Sequence, residues 1–212
     1  MKTRIAPAAA AGMLAAVGLA LASCAANRGS GDPEKAAVAL MQRDFKPRGQ
    51  ATLDRLQQDQ VQKTCSERAR EAELPPADAE RLQRSQLALI RYPQDGQYLG
   101  DWKAGEKLAQ TGVGKQWSDD PAKPSGGNCY ACHQISKAEL SYGTIGPSLW
   151  HFGRIRGFGP DTQKYVYGKV YDSQAFAACS QMPRFGAHGI LTEQQIKDVV
   201  ALLLDPRSPA NQ

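Results

Sequence analysis

No stretch of this sequence alternates apolar and polar residues as a half-buried strand does, and no block of it repeats. These absences remove sandwiches, barrels and solenoid arrays from consideration. The chain also lacks a Lys/Arg cluster dense enough to track a nucleic-acid backbone. Its formal net charge is +5, falling to about +3 if a leader carrying Lys2 and Arg4 is removed. The longest apolar run, Ala8 to Ala22, is shorter than the ~20 residues a membrane-spanning helix needs. Histidine is scarce, with three in 212 residues, and methionine nearly so, with four. Any chemistry that needs those side chains has few candidates.

What is present is ordinary in bulk. A hydrophobic fraction of 42% and a charged fraction of 22% allow a packed core, and exclude a fibrous or wholly disordered chain. The length suits one domain, or one domain with an extension.

The N-terminus reads as an export signal, positive charge followed by a short apolar run. Ala20-Leu21-Ala22 fits an A-x-A cleavage site. Leu21-Ala22-Ser23-Cys24 fits a bacterial lipoprotein box, in which Cys24 becomes a lipidated N-terminus. Both readings stay open, and both place the mature protein outside the cytoplasm, in the periplasm. On this basis residues 1–24 are signal, 25–97 a helical extension and 98–212 the main domain.

The extension has the marks of polar helices. Asp32-Pro33-Glu34 is a helix start, with Asp as cap and Pro at the first helical position. Leu53, Leu56 and Val61 lead toward Cys65. Pro75 and Pro76 interrupt, and Ala77 to Ile90 resumes a helical period. In the main domain Asp101 caps a helix through Trp102, Leu108 and Ala109 that Gly112 stops. Leu140 to Pro160 reads as loop. Asp161 to Val170 and Ser173 to Cys179 are short helix candidates. Thr192 and Gln195 form a capping box, followed by the amphipathic stripe Ile196, Val199, Val200, Leu203 and Leu204. The fold class is all-α.

Chemistry is concentrated at Cys129-Tyr130-Ala131-Cys132-His133. C-x-x-C-H is the spacing of covalent haem attachment. Two thiols add across the haem vinyl groups, and the following histidine is held beneath the iron. A redox dithiol would want a βαβ context, and a zinc site a second Cys or His pair; neither follows. The predicted cofactor is one covalent haem c. Downstream of His133 there remain His151, His188 and Met182 as candidates for the second iron ligand. Met182 sits in a loop with Gly and Pro, which can carry a thioether over the open face. His/Met ligation raises the reduction potential. Gly146-Pro147-Ser148-Leu149 offers the Pro147 carbonyl as a fixed acceptor for the other ring nitrogen of His133. Trp150, Phe152, Tyr165, Tyr167, Phe176 and Phe185 are the expected pocket walls. No residue is a candidate nucleophile or general base, so no catalytic residue is assigned. Of the five cysteines, Cys65 and Cys179 are left over. A disulfide between them is the simplest accounting in an oxidising compartment, with two buried free thiols the alternative.

The order C-x-x-C-H, G-P-x-L, methionine loop and closing helix resembles the class I cytochromes c from Gly100 to Leu204. Four stretches are more specific: Gly127 to Ile135, Gly143 to Leu149, Ala178 to Gly186 and Gly189 to Val199. Together they resemble the SoxX family, the monohaem subunits of the sulfur-oxidising SoxAX complexes. The resemblance implies a class I cytochrome c fold around one haem and a heterodimer with a SoxA-like cytochrome subunit. It also implies a role in an S-thiosulfotransferase that joins thiosulfate to a cysteine of a SoxYZ-like carrier. The electrons released would reach this chain and pass on to a small cytochrome c. The sulfur chemistry is expected in the partner subunit. Cys129, Cys132, His133, Met182 and Pro147 are then the cofactor-binding set, with His133 and Met182 on iron. Two other classes stay open: a stand-alone periplasmic electron shuttle, and an interaction module in which haem staples the fold.

Overall fold

A computed structural model describes residues 32–68 and 74–212. The segment expected to be a signal, with Cys24, lies outside the described residues. Among these, seven α-helices and four short 3-10 turns are linked by loops, and the only β-type pairing is one isolated bridge between Arg48 and Ala51.

Helix α1, Pro33–Asp44, begins as its sequence requires. Asp32 accepts a hydrogen bond from the Glu34 N–H at 3.0 Å, and proline occupies the first turn. None of its residues is buried. It belongs to a unit that ends at Phe45.

Lys46–Gln212 form a second compact unit. The part of the predicted extension from residue 46 to 97 therefore packs with the region that carries the haem motif. Helix α2, Gln60–Arg68, is capped by Asp59. The Asp59 N–H donates to Gln62 Oε1 at 2.9 Å and the Gln62 N–H donates back to Asp59 Oδ1 at 2.8 Å, a reciprocal box. Helix α3, Pro76–Leu87, starts at the Pro pair and buries Leu82 and Gln86. It is shorter than the predicted Ala77 to Ile90 at its C-terminal end. Tyr92 and Tyr98 then pack with Tyr167 at ring-centroid distances of 5.9 and 5.6 Å. The Tyr167 hydroxyl donates to the Arg91 carbonyl at 3.2 Å. Tyr167, expected as a haem-pocket wall, is thus fully buried in a tyrosine cluster that joins this segment to the rest.

The core is built on the crossing of α4, Trp102–Gln110, with α7, Glu193–Leu204. Both helices carry the caps the sequence promised. Asp101 accepts from the Lys103 N–H at 2.9 Å, and Thr192 and Gln195 form the capping box. Gly105 lets the helices touch: a Cβ there would lie 2.1 Å from the Asp198 carbonyl oxygen. The Asp101 N–H also donates to Asp198 Oδ1 at 2.9 Å, locking the register. Ile196, Val200, Leu202 and Leu204 are almost wholly buried on α7. Each contributes about 1.5–3 kcal/mol, so this one helix supplies much of the hydrophobic stabilisation.

Helices α5, Phe152–Arg156, and α6, Pro160–Tyr171, complete the body. Helix α5 falls inside the stretch read as loop. It is one turn long, entered through His151 at φ 60° and left through Gly157 at φ 88°, so it has no amphipathic period to betray it. Its Gly153 N–H donates to buried Asn211 at 3.1 Å, and Asn211 Nδ2 reaches the Leu203 carbonyl at 3.1 Å. The predicted helix from Ser173 to Cys179 is only the 3-10 turn Ser173–Ala175. Cys179 adopts φ 59°, which a right-handed helix cannot include.

Candidate haem site

The segment Cys129–Ala131 is a single 3-10 turn that follows α4. The His133 N–H donates to the Cys129 carbonyl at 2.9 Å, and the Cys132 N–H reaches the same oxygen at 3.1 Å. The turn therefore presents both thiols and the imidazole from one short piece of backbone. Cys129 packs against the apolar core, while Cys132 is half-buried. The two sulfurs are free, whereas Cys65 and Cys179 are bonded to each other with Cα atoms 5.4 Å apart. The disulfide expected by counting is present. Burial pushes the Cys129 thiol up to about 12.

His133 Nδ1 lies 2.7 Å from the Pro147 carbonyl oxygen. A carbonyl only accepts, so Nδ1 carries the proton and Nε2 keeps its lone pair for a metal. The ring lies flat on Gly146, where a Cβ would come within 2.1 Å of His133 Cε1. The Gly146 N–H in turn donates to the Cys132 carbonyl at 2.8 Å, tying the Gly-Pro loop to the attachment turn. These residues suit covalent haem: two unpaired thiols at the right spacing and an oriented imidazole nitrogen.

Met182 is half-buried and packs against the same core. Its carbonyl accepts from Ser173 Oγ at 2.6 Å, and its N–H donates to Ser180 Oγ at 3.2 Å. The other candidates are engaged elsewhere. His151 Nε2 is 2.8 Å from the Gln212 carbonyl and its ring stacks on Trp150. His188 Nε2 is 3.6 Å from Asp59 Oδ2.

Sequence reasoning missed Arg184, two residues past Met182. It is buried with its guanidinium on Asp59 Oδ2, and it also donates to Gln86 Oε1 at 3.3 Å. Burial opposes ionisation of Asp59, but the Gln62 N–H and the Arg184 guanidinium outweigh it, holding the carboxyl below its ordinary value. No local pattern announces this pair, since its members stand 125 positions apart. Tyr130, between the two cysteines, was also unassigned. Its hydroxyl meets Glu106 Oε1 at 3.0 Å and Ser136 Oγ at 3.1 Å, and burial pushes it up to about 12. It fixes the attachment turn to α4.

An all-helical body with a C-x-x-C-H turn and an oriented histidine defines a covalent-haem electron-transfer protein. A cytochrome c family model matches residues 102–205, a range that contains the attachment turn, Gly146, Pro147 and Met182. The chain is also 40% identical over 159 residues to an uncharacterized lipoprotein of Aquifex aeolicus (strain VF5), covering 73% of each chain. Residues 102–205 are a cytochrome c family domain, and the cofactor of that domain is covalently bound haem c.

Proposed function

We propose that this chain is the monohaem, electron-accepting subunit of a SoxAX-like S-thiosulfotransferase. In this reading Cys129 and Cys132 form the thioethers, and His133 and Met182 ligate the iron. When bound, the haem supplies a one-electron couple whose potential His/Met ligation raises. The chain's own residues orient that couple. Pro147 fixes the imidazole, Gly146 leaves room for it, and Ser173 and Ser180 fix the Met182 backbone. Joining thiosulfate to a carrier cysteine thiolate forms an S–S bond and releases two electrons. Those electrons come to this chain from a SoxA-like heterodimer partner and leave to a small cytochrome c. The carrier, SoxYZ-like, does not need to touch this subunit.

The observation that carries the reading is the Ala178 to Gly186 stretch. It contains a Met-Pro-Arg-Phe-Gly run that resembles the SoxX pattern, and its Met182 packs against the core that also carries Cys129. Export with a lipid on Cys24 is part of the proposal. It is supported by the lipoprotein box and by the lipoprotein name of the Aquifex relative. Among the described residues no helix is long and apolar enough to cross a membrane.

The test is co-purification of a tagged copy from its native host, with absorption spectra. The reading expects a second haem subunit in near-equal amount, and reduction of this haem by thiosulfate plus carrier protein. A lone monomer that thiosulfate and carrier leave oxidised would overturn it in favour of a free shuttle. Mass analysis of the mature N-terminus decides the anchor: a diacylglyceryl mass on Cys24 supports it, and a start at Ser23 removes it.

A further inference from the structure

We propose that Asp59, together with the Cys65–Cys179 disulfide, positions Met182 by clamping its loop from both sides. The inference rests on the reading of Met182 as an iron ligand.

Met182 lies in a non-helical stretch between the Ser173–Ala175 turn and α7, with no regular ladder of hydrogen bonds to hold it. Such segments open locally at far lower cost than core helices. The Ser180 bond to its backbone is local, while buried Ser173, nine residues back, holds its carbonyl. Two further ties are not local. Cys179, three residues before Met182, is bonded to Cys65 across a separation of 114 residues. Arg184, two residues after it, pairs with Asp59 and reaches Gln86 on α3. Both ties end on the same segment, α2 and α3.

Each end of the Asp59–Arg184 pair is hard to displace. Asp59 Oδ1 is committed to the α2 cap, so Oδ2 is presented at a fixed place. Arg184 has only 7% of its surface exposed, and pulling it off Asp59 leaves a buried charge whose remaining side-chain hydrogen bond, among the described residues, is to Gln86. Pro183 stands between Met182 and Arg184, and its ring fixes φ, which limits backbone motion between the two. Moving the backbone at Met182 away from its place therefore strains the Asp59 contact or drags α2 along. The segment before the haem motif becomes part of the ligand-holding machinery, not only a covering.

The test uses the ferric holoprotein and imidazole as a competing ligand. Imidazole replaces the thioether on iron only when the loop opens, so its binding rate reads the opening. Asp59→Asn removes the charge, and asparagine caps helices as well as aspartate does, so α2 stays formed. A far-UV circular dichroism spectrum checks that. The expected result is a faster imidazole reaction by about tenfold, the scale of losing one charge-assisted hydrogen bond. Removal of the disulfide by Cys65→Ala with Cys179→Ala should speed it as well. If both folded variants bind imidazole at the wild-type rate, the two ties only stabilise the fold and the clamp is overturned. If the wild-type protein itself lacks the methionine-sulfur-to-iron absorption band in the red, the ligand reading has failed, and the clamp with it. A band present in wild type with unchanged rates in the variants sinks the clamp alone.

Discussion

The Nδ1 atom of His133 sits 2.7 Å from the carbonyl oxygen of Pro147, fourteen residues further along the chain. That one contact decides the tautomer of the imidazole, and so which nitrogen is left for iron. It depends on Gly146, because the ring occupies the space a side chain there would need. Gly146→Ala should tilt the imidazole or push the Gly-Pro loop outward. We expect a marked fall in holoprotein yield and, in what forms, a loss of stability of about 1–3 kcal/mol. Haem content per polypeptide and a denaturant titration measure the two.

Met182→Ala removes the proposed thioether and leaves the fold intact, because the side chain is only half-buried. The reduction potential should fall by on the order of a few hundred mV, axial-ligand choice spanning about 0.8 V across haem proteins. A potentiometric titration reads this directly. An unchanged potential would show that another group holds the second position.

The Cys65–Cys179 bond closes a loop of 114 positions. In the chain-entropy account such a crosslink contributes about 2–5 kcal/mol, mainly by restricting the unfolded chain. Cys65→Ala with Cys179→Ala should lower the thermal midpoint correspondingly. Scanning calorimetry of the holoprotein gives the value.

Asp172 is fully buried, and among the described residues its Oδ2 has no hydrogen-bond partner, while Oδ1 accepts from the Gln174 N–H at 3.0 Å. Burial raises its pKa above the ordinary carboxylate value, although Arg184 and His188 pull against that rise. The folded state thus holds the proton to higher pH than the unfolded chain does. Stability is lost as pH climbs from the unfolded pKa through the folded one, and is level above both. Asp172→Asn should remove this descent, making the thermal midpoint less dependent on pH over the mildly acidic range. Melting curves at stepped pH check it, and an unchanged slope would assign the dependence to other groups.

Local signals carried much of the architecture. Asp32, Asp101 and Thr192 each cap the helix that follows, because an N-cap needs only its own side chain and the next few N–H groups. The attachment turn and the amphipathic α7 were legible for the same reason, being patterns of fixed short spacing. The candidate ligands were few because the motif and the scarcity of histidine and methionine left few choices. Helix α5 and the truncation at Cys179 were not legible. One depends on two positive-φ residues in a glycine-rich stretch, the other on a backbone reversal imposed where the chain meets Cys65.

What the sequence by itself determined was the helical class and the attachment chemistry, while counting left the two remaining cysteines as candidates for a bond that the structure shows. The class and the chemistry follow from covalent rules or from interactions within a few residues. Only the tertiary structure decided that the segment from Lys46 packs with the haem-bearing region, that Gly105 is where α4 meets α7, and that Asp59 holds Arg184 beside the methionine loop. These contacts join residues from 60 to 125 positions apart. No short pattern specifies such a pair, because a buried charge finds its partner only when the intervening chain has folded and excluded water from both.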